Sequence, residues 1–382
     1  MEANIPPDTT VARPRIPPGD ALATARRLGP ENGVTRLANI TGLDRIGLPV
    51  WQAVRPLGRA LSVHQGKGAT DELAQWSALG EAAESHAAES LGPDVFRISH
   101  AELRHQAIAE NLENLRSSDK KKPDPQRIQD WTRTHDLRSG AAAYVPHACV
   151  SLDYCLDADP ALDRSSMGLG AGTSWDQAIA KALYECLERD AVGSWLRTAP
   201  SLRPAREIEL ETLPPAWNTP WAGALADLQI RLRIFSIPAV IGIPTIVCTV
   251  EPTIPAEPFS LSTYGSASSP EPESALFAAF AEAVQSRLTL IAGARDDITP
   301  SEYVADRATG SCPPIPPGWC GKSWSTTKAC SGTWQTMADR LADAGFERVL
   351  IRRLTGDKDF WKVVKVIIPG LGSLRRKRKM VT

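Results

Sequence analysis

The chain has 382 residues, a formal net charge of −1 at pH 7, 42% hydrophobic residues and 23% charged residues. That length supports one large domain or two to three ordinary ones with a sizeable core, and a charge so near zero excludes a global attraction to nucleic acid or to a membrane surface. No run approaches the ~18 consecutive apolar residues of a membrane span, and the opening segment MEANIPPDTTVARPRIPPGD carries Pro, Asp and Arg where a signal peptide needs an apolar run. A cytoplasmic protein without nucleic-acid or membrane partners is therefore expected. The seven cysteines form no CxxC pair, which leaves zinc and thioredoxin-like readings without support. All six histidines lie between His64 and His147, so the rest of the chain offers no histidine base.

Residues 1–32 are Pro-rich and polar and read as an extended arm with one short helix at Ala21–Leu28. Extended stretches follow at Arg36–Ile40 and Ala53–Val63, flanking the loop TGLDRIGLPV. A helix is expected from about Thr70 to Ser90, with Thr70 and Asp71 as capping residues, and a second over 99–116 ahead of the polar loop SSDKKKPDPQ. Strand-like segments around Tyr144–Cys155 precede the Gly-rich turn SSMGLGAGTS and a long helix from Trp175 to Leu196. Ile230–Ile237 and Ala239–Val250 read as a strand pair. The turn YGSASSPEPE leads into a helix from Ser274 to about Ala292, and after CPPIPPG come a helix at Thr333–Ala344 and strands at Arg348–Leu354 and Lys362–Ile368. Strands and helices are interspersed without clean βαβ alternation, so the fold class is α+β.

Three of these helices carry nearly the same heptapeptide: ALGEAAE at Ala78–Glu84, ALYECLE at Ala182–Glu188 and AFAEAVQ at Ala279–Gln285. Their leading glutamates, Glu81, Glu185 and Glu282, recur about every hundred residues, and each helix follows a glycine-containing turn. For any one helix an i,i+3 acidic pair is usually a solvated face. A solvated face, however, alternates Lys and Arg with its acids. Here Glu81 lies among Ser77, Ala78, Ala82 and Ser85, opposite the stripe Leu73, Trp76 and Leu79, and Glu282 lies among Ala278, Ala279 and Ser286, as if something approaches closely. Several converging carboxylates need cations. Hard oxygen ligands completed by water and phosphate describe Mg²⁺ in a phosphoryl-transfer enzyme, with the glycine turns offering backbone N–H groups to the phosphates. GxxxxGK[ST] is absent, and GLGAGT does not complete GxGxxG.

The chain resembles the YcaO family, in its TfuA-associated branch, over about residues 33–371. The resemblance rests on GVTRLANITGLDRIGLPVWQAVRP, SVHQGKGATDELAQWSALGEAAESHAAE, GLGAGTSWDQAIAKALYECLERDA, GSASSPEPESALFAAFAEAVQSRLTLIAGARDDI and VVKVIIPGLG, in that order. The EAAESHAAE and QSRLTLIAGARDD runs point to the branch. The resemblance implies a YcaO-type fold, with mixed or antiparallel sheets and three carboxylate-bearing helices around a nucleotide site. It implies an N-terminal arm at 1–32, a YcaO domain at 33–371 and a basic tail at 372–382. The implied activity uses ATP and Mg²⁺ to O-phosphorylate a backbone amide of a precursor peptide or protein. A neighbouring Cys, Ser or Thr then gives an azoline, or external sulfide gives a thioamide, the outcome associated with a TfuA-like partner. Glu81, Glu185 and Glu282 are the implied catalytic residues. Glu81, Glu185, Glu188 and Glu282 are the implied magnesium ligands. Lys67, Glu84, Thr173, Gln177, Arg189, Gln285 and Arg287 are the implied cofactor contacts.

The sequence departs from the family pattern at Thr173, where Asn is usual, at Gln177, where Glu is usual, and at Ala278, where an arginine is usual. The arm offers only Arg13 or Arg15 for a nucleotide-contact pair, and the C-terminus LRRKRKMVT differs from the Pro-rich tail of azoline-forming members. A thioamide is therefore favoured over an azoline. The alternative reading is a scaffold that binds a peptide or partner without turnover. His64 is expected to be structural, and the sequence leaves a homodimer open.

Overall fold

A computed structural model describes residues 19–117, 122–218, 220–253, 262–295, 297–298 and 320–372. It divides into two compact units, the first within Met1–Pro56, Leu61–Leu79 and Ala191–Ser331, the second within Leu57–Ala60, Gly80–Asp190 and Gly332–Thr382.

Unit 1 opens on α1 (Gly19–Leu28), whose Leu22 and Ala25 are buried; this part of the expected arm is thus packed helix. Residues 1–18 of the arm, with Arg13 and Arg15, and the basic tail from residue 373 lie outside the described residues. β1 (Arg36–Asn39), β2 (Val50–Val54) and β3 (Val63–Lys67) form an antiparallel sheet. The second stretch read as extended is the end of β2 and the start of β3, paired through Val54 and Val63. β8 (Ile230–Ile237), β9 (Thr245–Pro252) and β10 (Thr263–Ser268) form a second antiparallel sheet in the order β10-β9-β8. After α5 (Pro215–Asn218) and α6 (Pro220–Asp227), which precede this sheet, α7 (Pro272–Ala292) lies against it and buries Leu276, Phe280, Val284 and Leu288 with Ile234, Ile246, Cys248 and Trp217. Trp217 meets Phe280 edge-on at 5.8 Å, the orientation aromatic quadrupoles prefer. By length and apolar composition α7 is long enough to cross a membrane, but here it is the core helix of its unit.

Unit 2 holds a six-stranded sheet in the order β4-β5-β11-β12-β7, with β6 also on β5. The strands are β4 (Val95–Ile98), β5 (Gln129–Asp136), β6 (Ala142–Pro146), β7 (Leu169–Gly172), β11 (Leu350–Arg353) and β12 (Lys362–Ile367), and every named pair is antiparallel. The helix expected over 99–116 is absent. Ser99 and Glu102 form a capping box, but α3 ends after one turn at His100–Leu103, because Ala109 bridges Tyr144 and the Glu110 N–H bonds the Tyr144 carbonyl at 2.8 Å. Tertiary pairing here overrides helix propensity. The helix expected near the C-terminus is α8 (Trp334–Asp343).

The unit boundary falls within α2 (Asp71–Ser90), after Leu79, and within α4 (Trp175–Arg197), after Asp190. These two helices and α7 are the carboxylate helices, and each rests on a strand glycine. A Cβ at Gly66 would stand 2.0 Å from the Ala78 nitrogen, one at Gly170 2.2 Å from the Ala178 oxygen, and one at Gly265 2.3 Å from the Ala283 nitrogen. The glycine segments expected as turns are therefore β3, β7 and β10. Their glycines let a helix backbone touch a strand backbone, and the small residues near the glutamates, Ala78, Ala182, Ala279 and Ala283, are the buried other half of that contact.

Gly265→Ala is expected to destabilise the protein by about 3 kcal/mol, whereas Gly42→Ala, with nothing within 4 Å of the added carbon, should stay within about 1 kcal/mol. Urea unfolding of the two variants measures the difference, and equal stabilities would refute the packing role of Gly265.

Candidate active site

In unit 1 the carboxylate of Glu282, on the half-exposed side of α7, accepts a bond from Lys67 Nζ at the end of β3, at 3.1 Å. One turn further along, Gln285 Nε2 donates to the Gln65 carbonyl at 3.3 Å, while Gln285 Oε1 and Gln65 Nε2 are buried without a partner among the described residues. The single Thr289 Oγ1–H lies within reach of two acceptors, Gln65 Oε1 and the Gln285 carbonyl. Arg287 is committed to Asp44 through Nε at 2.8 Å, with both side chains largely buried. Ala278, one turn before Glu282, is half-buried against the apolar core. His64 is buried beside Arg55 at 3.3 Å. Burial first, and the Arg55 charge second, bring its pKa down to about 3, so its imidazole is neutral at physiological pH.

In unit 2, Glu84 on α2 is held at one oxygen by two donors, the Ala171 N–H of β7 at 2.6 Å and Lys181 Nζ of α4 at 2.7 Å. Burial works against the Lys181 charge, but Glu84, Glu81 and Glu185 outweigh it and hold the ammonium above its usual pKa. Glu185 accepts the Gly168 N–H at 3.2 Å and lies 3.9 Å from Arg189. Burial, reinforced by the Glu84 charge, pushes the Glu185 carboxyl up to about 7, against the opposing pull of Arg189, Lys365 and Lys181. Lys365 on β12 is itself buried, which lowers its pKa, and it bonds the Ser165 carbonyl at 2.6 Å. Glu188, one turn beyond Glu185, is also buried. Thr173 donates both its N–H and its Oγ1 to Gln177 Oε1, each at 3.0 Å, so this exposed pair is occupied in starting α4.

A family model described as YcaO cyclodehydratase, ATP- and Mg²⁺-binding, matches residues 65–372. The chain belongs to the YcaO family. An uncharacterized protein in the tfuA 3′ region of Rhizobium leguminosarum bv. trifolii is 30% identical over 93% of this chain and 88% of its own. A Methanothermobacter thermautotrophicus protein is 29% identical over 89% and 90%. Among solved structures, a heterocyclase in complex with substrate and cofactor superposes with a TM-score of 0.76 at 21% identity, covering 92% of this chain and 52% of that one. This chain thus spans about half of the heterocyclase. YcaO from Methanopyrus kandleri, bound with AMPPCP and Mg²⁺, superposes with a TM-score of 0.67 at 22% identity, covering 92% and 90%. The fold is that of YcaO, and the activity that goes with the family is ATP- and Mg²⁺-dependent activation of a peptide amide.

The residues present suit that metal. Among the described residues no three His, Cys, Asp or Glu side chains gather tightly enough to cage an ion. Mg²⁺ asks for no such cage, since it keeps waters and takes one or two carboxylates with phosphate oxygens. Glu185 would fit as one of them, because among the described residues its partly exposed carboxylate meets only the Gly168 N–H at 3.2 Å and, more distantly, Arg189 at 3.9 Å. Lys181 was not singled out from the sequence. Its spacing four residues before Glu185 is a signal that reads equally well as a surface i,i+4 pair.

A folded pKa of about 7 for Glu185, above the ordinary 4.5, means that the folded state holds this proton more tightly than the unfolded chain. The resulting stabilisation is complete below pH 4.5 and is lost as the pH rises through 7. In metal-free buffer, Glu185→Gln should therefore gain in melting temperature relative to wild type between about pH 5 and about pH 8. A difference that stays constant across that range would contradict the raised pKa.

Proposed function

We propose that this YcaO protein thioamidates a backbone amide of a precursor peptide, working with a TfuA-like partner. The observation that carries the site assignment is the repeated unit of strand glycine, small-residue helix face and glutamate, which seats Glu81, Glu84, Glu185, Glu188 and Glu282 on rigid elements rather than loops. Glu81, Glu185, Glu188 and Glu282 are the proposed magnesium ligands, and bound Mg²⁺ would neutralise the phosphates of ATP. Lys67 and Arg189, at the ends of the Glu282 and Glu185 ion pairs, are the proposed phosphate contacts, and Glu84 and Gln285 support them. Thr173 and Gln177 shape the start of α4.

In the reaction the peptide amide oxygen takes the γ-phosphoryl group and ADP leaves. Hydrosulfide then adds to the activated carbon, and phosphate departs with the former amide oxygen, leaving a C=S bond. Hydrosulfide is largely anionic near neutral pH, so the step asks little of the protein as a base. A neighbouring Cys, Ser or Thr nucleophile must lose its proton, and His64, with its pKa near 3, is a poor acceptor. The Rhizobium relative in the tfuA 3′ region supports the choice of partner.

Incubation of the enzyme with precursor peptide, TfuA-like partner, ATP, Mg²⁺ and sulfide is expected to raise the peptide mass by the exchange of oxygen for sulfur. Loss of one water, confined to Cys, Ser or Thr sites, would assign azoline formation instead. Glu185→Gln should abolish ATP turnover with the circular dichroism of the wild type, and wild-type turnover would remove Glu185 from the site. Ala278→Arg should raise ATP turnover by restoring the guanidinium that family members carry one turn before Glu282. A lower melting temperature with no kinetic gain would count against that placement.

A further inference from the structure

Lys181 reaches into the carboxylates of unit 2 without belonging to any of the assigned roles. Its ammonium bonds Glu84 Oε1 at 2.7 Å, the same oxygen that receives the Ala171 N–H. Glu84 is therefore fixed between β7 and α4 by one backbone and one side-chain donor. Lys181 also feels the charges of Glu81 and Glu185, which are carried by α2 and by its own helix. Glu84 is mostly buried, while the lysine side chain is half-exposed, with a relative accessibility of 49%. The lysine thus keeps part of its side chain in solvent while its ammonium is tied to Glu84. The other charged groups that act on Glu185 are Arg189, 3.9 Å away, and the buried Lys365, whose ammonium is taken up by the Ser165 carbonyl.

Neighbouring carboxylates repel each other, and a single positive charge placed among them lowers that repulsion at every member. A second cation brought to the same carboxylates meets the first as a like charge.

We propose that Lys181 is a positioning residue: it serves as the resident counter-ion of Glu81, Glu84 and Glu185, holds them in place when no metal is bound, and sets Mg²⁺ affinity by competing for the same charge. The inference rests on the reading of this cluster as the magnesium site. Its consequence is a site tuned towards weak binding of bare Mg²⁺, leaving occupancy to metal that arrives with phosphate ligands of its own.

The test uses the full-length protein and Mg²⁺ alone as probe, titrated by calorimetry at constant ionic strength, with melting temperatures recorded in EDTA. Three variants separate charge from contact. Lys181→Met removes both, Lys181→Gln keeps a donor for Glu84 without the charge, and Lys181→Arg keeps the charge. Lys181→Met and Lys181→Gln should each bind Mg²⁺ about tenfold more tightly than wild type, as expected for removal of one nearby positive charge in largely aqueous surroundings. Both should melt lower in EDTA and recover in Mg²⁺, while Lys181→Arg should match wild type in affinity. Should Lys181→Met not fold, the comparison of Lys181→Gln with Lys181→Arg decides the matter. A wild type that binds Mg²⁺ while Lys181→Gln binds it no more tightly overturns this inference and leaves the metal site standing. A wild type that shows no Mg²⁺ binding overturns the metal reading and this inference with it.

Discussion

The contact on which the carboxylate positions depend is that between a helix backbone and a glycine in the strand beneath it. At Gly66 and Gly265 in unit 1, and at Gly170 in unit 2, the helix comes so near that a single added carbon would lie within 2.0 to 2.3 Å of its main chain. A helix seated this closely cannot rotate or slide without opening the contact, because interiors are packed to crystal-like density. The glutamates project from such helices, so their positions are set by backbone packing rather than by loop conformation. This is the preorganisation that electrostatic catalysis requires.

Rigid acids have a cost in repulsion, and the chain meets it with lysines and an arginine. Lys67 answers Glu282, Lys181 answers Glu84, and Arg189 stands near Glu185. The compensation is incomplete at Glu185, whose carboxyl remains raised to about 7. Incomplete pairing at Glu185, which meets Arg189 only at 3.9 Å, distinguishes this acid from an ordinary salt-bridged surface carboxylate. It gives a divalent cation something to gain on binding, whereas a fully paired cluster would have to be broken first.

Much of this was legible in the sequence. The heptapeptide repeat, the three helices and the strand pair of β8 and β9 are periodic and local. The glutamates could be picked out because their helix faces held alanine and serine instead of alternating charge. The source of that composition was misread, since the small residues face the protein's own strands and the glycines are strand residues, not phosphate turns. A glycine in a strand and a glycine in a turn look alike in a sequence, and only the approach of a distant segment tells them apart. β5 was missed because QDWTRTHD is polar, and its buried Thr132, Thr134 and Asp136 are satisfied by His147, beside the neighbouring strand β6, by the Ala143 carbonyl within it, and by the distant Val349 N–H. The short α3 was overestimated for the complementary reason: a good helix sequence was diverted by the pairing of Ala109 and Glu110 with Tyr144. Lys181 was overlooked because its partner Glu84 lies on another helix, with no local mark of the pairing.

The central claim is that the protein binds ATP through Mg²⁺. It is tested most directly by calorimetric titration of the wild-type protein with a non-hydrolysable ATP analogue, once in Mg²⁺ and once in EDTA. The account predicts saturable binding in Mg²⁺ that is lost in EDTA. Equal binding in the two buffers, or none in either with the protein folded, would contradict it.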